Sequence, residues 1–306
     1  MKFRGLVLAA LVLAALSAAL YWSNHHSQTK TTETAAANPS PKILALNQDD
    51  ITKVEIKKRD SDIVLANDGS SLWHITAPQE SRADSGAVSS IISSLAPLTA
   101  DRIIEEKATD LQPFGLKERA LELVVTTKNN QSQRLLIGDE TPSHNGAYAA
   151  VAGRPQVYTV PSYVKSGLDK NLDDLRNKKL FDFGPTDPGK IEFRNGTKTY
   201  LLKRSGPDWW GPDGKKMEAG GVSSLIDHLR DLQAAKFVDS GFGKPVIEIT
   251  ITPQDNGHPE KVLLAKNGDN YIAKRENEPQ LYQIDSKTVL APLLKTLEAI
   301  ADFIAE

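Results

Sequence analysis

Two short segments of this chain recur in the same order, and this repetition constrains the fold more than any other feature. The run VSSII at residues 88–92 returns as VSSLI at residues 222–226. The run PQVY at residues 155–158 returns as PQLY at residues 279–282, at a comparable distance from the first match. Two matches in one order predict two tandem modules of the same plan.

The composition fits such a two-part globular body. The chain has 306 residues, of which 40% are hydrophobic and 25% are charged, and this length suits about two domains. A formal net charge of -2 provides no basic field to attract nucleic acid, so nucleic-acid binding is not expected. Because the chain has no cysteine, disulfides, thiolate nucleophiles and Cys-ligated metals are excluded.

Residues 1–23 have the pattern of a transmembrane anchor. Residues 5–22 carry no charge and are almost all Leu, Ala and Val, and Lys2 and Arg4 precede them. At about 1.5 Å per helical residue, this stretch just crosses a hydrocarbon core roughly 30 Å thick. The basic residues would stay in the cytoplasm, which predicts a single-pass protein of the bacterial inner membrane with its body on the periplasmic side. A cleaved signal peptide is the alternative.

The remainder divides into a tether and two modules. Residues 24–41 are rich in Thr, Ala, Asn and Ser without an apolar period, which is typical of a flexible tether. Residues 42–184 form the predicted first module and residues 185–306 the second. Pro185 and Gly189 mark the joint between them.

Both modules combine strand-like runs with one or two helices. Residues 51–58 alternate between apolar and charged side chains, which predicts a strand with one buried face. The apolar residues between 88 and 95 follow helical spacing, with Asp84 or Ser85 as the N-cap. The second module repeats this order and ends in a longer helix from Ser286 to about Phe303. Such strand clusters with hairpin-length connections predict an α+β fold of mainly antiparallel sheets.

A set of packing and turn positions recurs in a known bacterial family. These positions are Trp73, Pro78, Asp84, the helix from Val88 to Leu95, the run Phe114-Gly115-Leu116 and the strand at Leu121. Through them the chain resembles the domain-of-unknown-function family 4340. Members of that family resemble membrane-anchored envelope proteins, often encoded beside ABC-transporter components of the gliding-motility type. The resemblance therefore implies a transport-associated accessory role and carries over no catalytic residue.

One short motif raises the question of acyl-transfer chemistry. The run from Ser162 to Lys165 matches Ser-x-x-Lys, in which the lysine can deprotonate the serine. The companion Ser-Asp-Asn and Lys-Thr-Gly elements are missing, and Ser286 of the second module is not followed by an equivalent lysine. We therefore predict that Ser162 caps a helix, as Ser286 would in its own module.

Three residues are candidates for a binding surface: Trp210, His74 and His144. Alternation along the strand puts His74 opposite the buried Trp73 and therefore in solvent. Trp210 lies among proline and glycine residues, where it could stack on a sugar, a peptide or a partner protein, or cover the joint between the modules. His144 lies in a loop between two predicted strands.

No catalytic, cofactor or metal site is assigned from the sequence. The six histidines are scattered, His25 and His26 fall in the tether, and no H-E-x-x-H pattern occurs. Glycine-rich phosphate loops are also missing. Adjacent carboxylates such as Asp173 and Asp174 are typical of a solvated face.

These observations predict a non-enzymatic, membrane-anchored envelope protein. Its partner would be an inner-membrane transporter or an envelope-assembly protein, and exposed strand edges offer places for β-augmentation. One alternative is an envelope hydrolase that uses Ser162, Lys165 and His144. Another is a protein that binds a small ligand in the cleft between the modules.

Overall fold

A computed structural model describes residues 40–305 apart from 68, 70, 71, 119, 213 and 255–257. The predicted anchor, residues 1–23, and nearly all of the predicted tether lie outside these described residues. Among the helices of the described residues, none has the length and hydrophobicity that a bilayer-spanning helix requires.

The described chain has an α+β fold in which the strands form two sheets. The strands of the first sheet are β1 (Ile51–Lys58), β2 (Ser61–Asn67), β3 (Trp73–Ala77), β4 (Ser81–Arg82), β5 (Arg102–Glu105), β6 (Leu121–Thr127), β7 (Ser132–Glu140), β8 (Gly146–Val151) and β9 (Val157–Pro161). Their order is β4-β3-β2-β1-β6-β7-β8-β9-β5. Neighbours pair antiparallel, for example Val54 with Leu65 and with Val125, which confirms the predicted sheet type.

A second sheet follows along the chain. Its strands are β10 (Lys190–Asn195), β11 (Lys198–Ser205), β12 (Asp208–Trp210), β13 (Lys236–Val238), β14 (Pro245–Thr252), β15 (Glu260–Asn267), β16 (Asn270–Arg275) and β17 (Leu281–Ile284). Their order is β12-β11-β10-β14-β15-β16-β17-β13. When the two-residue β4 is set aside, both sheets have the same order of strands.

A few helices accompany the sheets. They are α1 (Ser85–Leu95), α2 (Ser162–Leu168), α3 (Leu172–Leu175), α4 (Ala219–Arg230) and α5 (Ala291–Ala305). In each half, one helix connects the strand at or next to one edge of the sheet with the strand at the opposite edge: α1 leads to β5 and α4 leads to β13. This crossing explains why the repeated run lies in α1 and α4, because a helix that crosses a sheet must bury one apolar face.

The buried faces of these helices confirm the predicted periodicity. In α1 the buried residues are Val88, Ile91, Ile92 and Leu95. Asp84 is the N-cap, and its Oδ1 accepts a hydrogen bond from the Ala87 amide at 2.8 Å. In α4 the corresponding buried residues are Val222, Leu225, Ile226 and Leu229.

Each sheet has its own hydrophobic core. Ile43 and Leu44 pack with the first sheet and α1. Leu180 and Phe181 pack with the second sheet, α4 and α5. Along the chain, the first core ends at Leu175 and the second begins at Leu180, while the predicted boundary between residues 184 and 185 stays a prediction. The helix predicted from Ser286 begins with a π-helical turn, Ser286–Leu290, before α5.

Candidate functional site

Two of the three predicted surface residues lie on strands of different sheets. His74 is half-buried in β3, where strand pairing sets it opposite Ala66 and Arg82. Trp210 is half-buried in β12 and pairs with Lys203. Neither strand pairing brings the two residues together.

The third residue, His144, lies in the turn between β7 and β8. Its backbone has φ of 56°, which is left-handed, and its side chain is 79% exposed. His144 Nδ1 lies 3.1 Å from Glu140 Oε2, so a neighbouring carboxylate already occupies one ring nitrogen. The turn is exposed and polar, which fits a contact surface better than an enclosed site.

The Ser-x-x-Lys run forms most of α2, but its polar atoms are not assembled for catalysis. Lys165 Nζ donates a hydrogen bond to the Gly138 carbonyl at 2.8 Å. In the part of the chain that the structure describes, no hydrogen bond joins Ser162 Oγ to Lys165 or to His144. The prediction that Ser162 caps the helix is wrong, because Pro161 is the N-cap and makes no side-chain cap bond.

A groove of about 490 Å³ lies where the two halves of the molecule meet. One wall comes from the start of α1, with Asp84 and Ser90, and the other comes from residues 169–179. Gln233, which follows α4, contributes from the second half. With the predicted module bounds, Gln233 is the one lining residue from the second module, so a cleft between the modules stays a prediction.

The four carboxylates of the groove all have partners within the protein. The contacts are Asp84 Oδ1 with the Ala87 amide at 2.8 Å, Asp169 Oδ1 with Lys58 Nζ at 2.5 Å, Asp173 Oδ1 with Arg176 Nη1 at 3.3 Å, and Asp174 Oδ2 with the Asn171 amide at 2.9 Å. Two of these carboxylates, Asp169 and Asp173, are thus paired with a cation, and the other two accept a backbone hydrogen bond and keep their negative charge.

The lysines of the groove differ from its carboxylates. Among the described residues, no carboxylate lies within 4.0 Å of the ammonium group of Lys170, Lys178 or Lys179. Arg176 is engaged, since its guanidinium lies 5.0 Å from the centre of the Phe237 ring and pairs with Asp173. Within the described structure these three ammonium groups therefore have no ion-pair partner, although the aspartates of the groove line the same space.

Next to the groove, three charged residues and a tyrosine join the two halves. We call this cluster the latch and define it as Arg82, Arg275, Glu278 and Tyr282. Glu278 Oε1 accepts hydrogen bonds from Arg82 Nε and from Arg275 Nε, each at 2.7 Å. Glu278 Oε2 accepts a third from the Tyr282 hydroxyl at 2.6 Å. Because Arg82 belongs to the first sheet and the others to the second half, the latch ties the halves together.

Further contacts surround the two arginines of the latch. Arg82 Nη2 donates to the Lys179 carbonyl at 2.6 Å, and Arg275 Nη1 donates to the Leu180 carbonyl and to Glu260. Arg82 Nη1 lies 3.5 Å from Asp182 Oδ2 but makes no hydrogen bond within the described structure. The arginines thus hold the connecting segment at residues 179 and 180.

Burial and the neighbouring charges together set the pKa values of Glu278 and Tyr282 in the latch. Burial of Glu278 raises its pKa, but the charges of Arg82 and Arg275 and the Tyr282 hydrogen bond outweigh burial, so the pKa of Glu278 lies below its ordinary value. Burial raises the pKa of Tyr282 to about 12, and the Glu278 charge adds to this shift. At neutral pH the latch therefore contains a carboxylate, two guanidinium groups and a neutral phenol.

Lowering the pH is expected to remove the stability that ionised Glu278 contributes. Its folded pKa is depressed, so this contribution is present above the unfolded pKa and is lost as the pH falls through the folded pKa. We expect the free energies of unfolding of the native protein and of Glu278→Gln to differ most near pH 7 and to converge once the pH has fallen below the folded pKa of Glu278. Urea unfolding at several pH values checks this, and a difference independent of pH would contradict it.

None of the predicted site residues belongs to the latch or to the groove lysines, and Tyr282 stands out in the sequence only as the last residue of the repeated run PQLY. Arg82 and Glu278 are 196 positions apart, and neither carries a local signal. Only the neighbouring pair Asp173 and Asp174 was interpreted, as a solvated face, and the adjacent Lys178 and Lys179 belong to no motif. The structure shows that the four carboxylates contact other groups of the protein, and only this shows that Lys170, Lys178 and Lys179 have no ion-pair partner among the described residues.

Comparison with known proteins identifies a family. No curated protein and no solved structure matches the chain. The family described as a domain of unknown function (DUF4340) matches residues 73–248, which is more than half of the chain and runs from β3 into β14. The match includes the groove from Asp84 to Gln233 and the positions through which the sequence resembled this family. The chain therefore belongs to the DUF4340 family.

Proposed function

We propose that this protein is a membrane-anchored envelope protein whose body binds another protein, as an accessory module of a transport or cell-envelope assembly. The observation that supports this most directly is the groove, which both halves of the molecule line. A surface made from two halves that are tied to each other suits recognition of an extended partner, because little ordering of the receptor is needed on binding.

The proposed architecture has a single-pass anchor at residues 5–22 in the bacterial inner membrane and a periplasmic body. The body would consist of a first module, residues 42–184, and a duplicated second module, residues 185–306. The shared strand order of the two sheets supports the duplication, and the uncharged N-terminal run supports the anchor. A transporter subunit or an envelope-assembly protein is the partner that this location favours.

The latch supports the proposed binding role because it fixes the position of the two halves relative to each other. Buried ion pairs contribute little net stability compared with apolar packing, and their best-attested benefit is to select one arrangement. Here the selected arrangement is the relative position of the two halves. The groove would then keep one shape, with the start of α1 facing the segment around Lys178.

Site-specific photocrosslinking in native membranes tests this proposal. A photoreactive amino acid replaces Ser90, which is exposed and lines the groove. The matched control carries the same amino acid at Ser224, the equivalent exposed position of the repeat in α4. We expect affinity purification and mass spectrometry to recover a transporter or envelope-assembly subunit with the Ser90 variant only.

Two results would count against the proposal. Recovery of no partner with the Ser90 variant would remove the groove as a protein-binding surface. Equal recovery of the same proteins with the Ser224 control would show that the crosslinks report proximity in the membrane instead of binding at the groove. The full-length chain is used in both arms, so the two variants differ only in the position of the crosslinker.

A further inference from the structure

We infer that the groove binds an acidic segment of the partner protein, through the ammonium groups of Lys170, Lys178 and Lys179. This inference rests on the proposed function and specifies the chemistry of the segment that the groove receives. It follows from three features of the groove: the unequal pairing of its charges, the fixed backbone of its basic wall and its concave shape.

The charges of the groove are unequally paired. Its four carboxylates accept hydrogen bonds or ion pairs from groups that belong to the protein, at distances between 2.5 and 3.3 Å. Its three lysines have no carboxylate within 4.0 Å in the described part of the chain. The ligand best matched to such a surface supplies carboxylates, because opposite charges across an interface steer association and fix the register of the partner.

The backbone that carries Lys178 and Lys179 is held from both halves of the molecule. The Lys178 carbonyl accepts a hydrogen bond from the Ala234 amide at 2.8 Å. The Lys179 carbonyl accepts one from Arg82 Nη2 at 2.6 Å, and Lys179 also forms a bridge with Gln233. The latch therefore holds the basic wall directly, which lowers the entropic cost of presenting these lysines to a ligand.

The shape of the groove favours a peptide over other polyanions. Ser90 of α1 and Lys178 line the same concave space of about 490 Å³, which admits side chains of an extended segment. The flat surface of an anionic bilayer makes contact with protruding residues and does not fill a recess of this kind.

Fluorescence anisotropy with a labelled peptide of six glutamates tests the inference on the full-length protein in detergent. We expect the triple substitution Lys170→Gln, Lys178→Gln and Lys179→Gln to weaken binding at least tenfold. The same three positions changed to arginine should keep most of the affinity, because the charges remain. Added NaCl should weaken binding to the native protein more than to the glutamine variant.

The control variant removes three exposed lysines elsewhere: Lys203, Lys244 and Lys266, each changed to glutamine. It has the same net charge as the groove variant, so a tenfold loss confined to the groove variant shows a local effect. Both variants should keep the thermal unfolding midpoint of the native protein. Equal weakening by the two variants, or no binding of the peptide to the native protein, would overturn the inference.

Two further arms separate this inference from its alternatives. Vesicles containing phosphatidylglycerol that bind the native protein through the same lysines, and more strongly than the peptide does, would make the groove a membrane contact and overturn the inference. If the triple glutamine variant, carrying the crosslinker at Ser90, still captures the same partner in membranes, the proposed function stands and the acidic-segment inference fails. If peptide binding depends on the lysines but no partner is captured, the proposed function fails instead.

Discussion

Replacing Glu278 with alanine is expected to lower the free energy of unfolding by about 3 kcal/mol. The substitution leaves Arg82 and Arg275 without their shared carboxylate and the Tyr282 hydroxyl without its acceptor. The side chains of both arginines are less than a fifth exposed, so water replaces the lost partner only in part. Removing one member of a largely desolvated charged cluster costs more than the intact cluster contributes, because the remaining charges stay partly buried without their partner.

Urea unfolding followed by tryptophan fluorescence measures this effect, and urea is preferred because guanidinium would screen the ion pairs. Glu276→Ala is the matched control, two residues away. Glu276 is 51% exposed and pairs with Lys261 at 2.7 Å, and exposed pairs contribute at most about 1 kcal/mol. A loss as small for Glu278→Ala as for Glu276→Ala would show that the latch does not hold the halves together.

The substitution Gly138→Ala in β7 is expected to lower the free energy of unfolding by about 3 kcal/mol or more. A Cβ atom added at Gly138 would lie 2.1 Å from the Phe114 carbonyl oxygen. That atom belongs to the backbone, so a side-chain rotation cannot relieve the clash. The loop that carries Gly115 and the buried Leu116 would have to leave β7.

Gly243→Ala is the control for this second prediction. An added Cβ at Gly243 meets no atom within 4 Å, so we expect a change within about 0.5 kcal/mol. Urea unfolding of both variants checks the comparison. A native-like free energy of unfolding for Gly138→Ala would mean that the Phe114 loop moves at little cost.

The loop that packs against Gly138 contains the run Phe114-Gly115-Leu116, which is also one of the family positions in the sequence. Gly115 has φ of 66°, a left-handed conformation that costs little only for glycine. Leu116 is 1% exposed, and the Phe114 ring packs edge-on against Tyr148 at 5.1 Å between ring centres. The motif is therefore a tight turn that seats one apolar side chain in a small core beside β8.

Local patterns predicted the secondary structure well where one face is buried. Val54 and Ile56 are fully buried, as their alternation in β1 indicated. The buried stripe of α1 and its repeat in α4 also follow from spacing alone. The prediction for the cap of α2 failed at a helix terminus, where backbone geometry decides, whereas the last helix begins at Ser286 as predicted. Pro161 occupies the N-cap of α2, and a π-helical turn precedes α5.

The sequence by itself determined the elements, the α+β class, the family resemblance and the repeated helix signature, because each depends on side chains a few positions apart. Tertiary structure alone decided the site. The latch joins Arg82 to Glu278 across 196 positions, and the groove lysines stand out only once the partners of the neighbouring carboxylates are known. The physical reason is that pairing of charges depends on distances of a few ångströms in space, and the order of strands in the two sheets sets those distances.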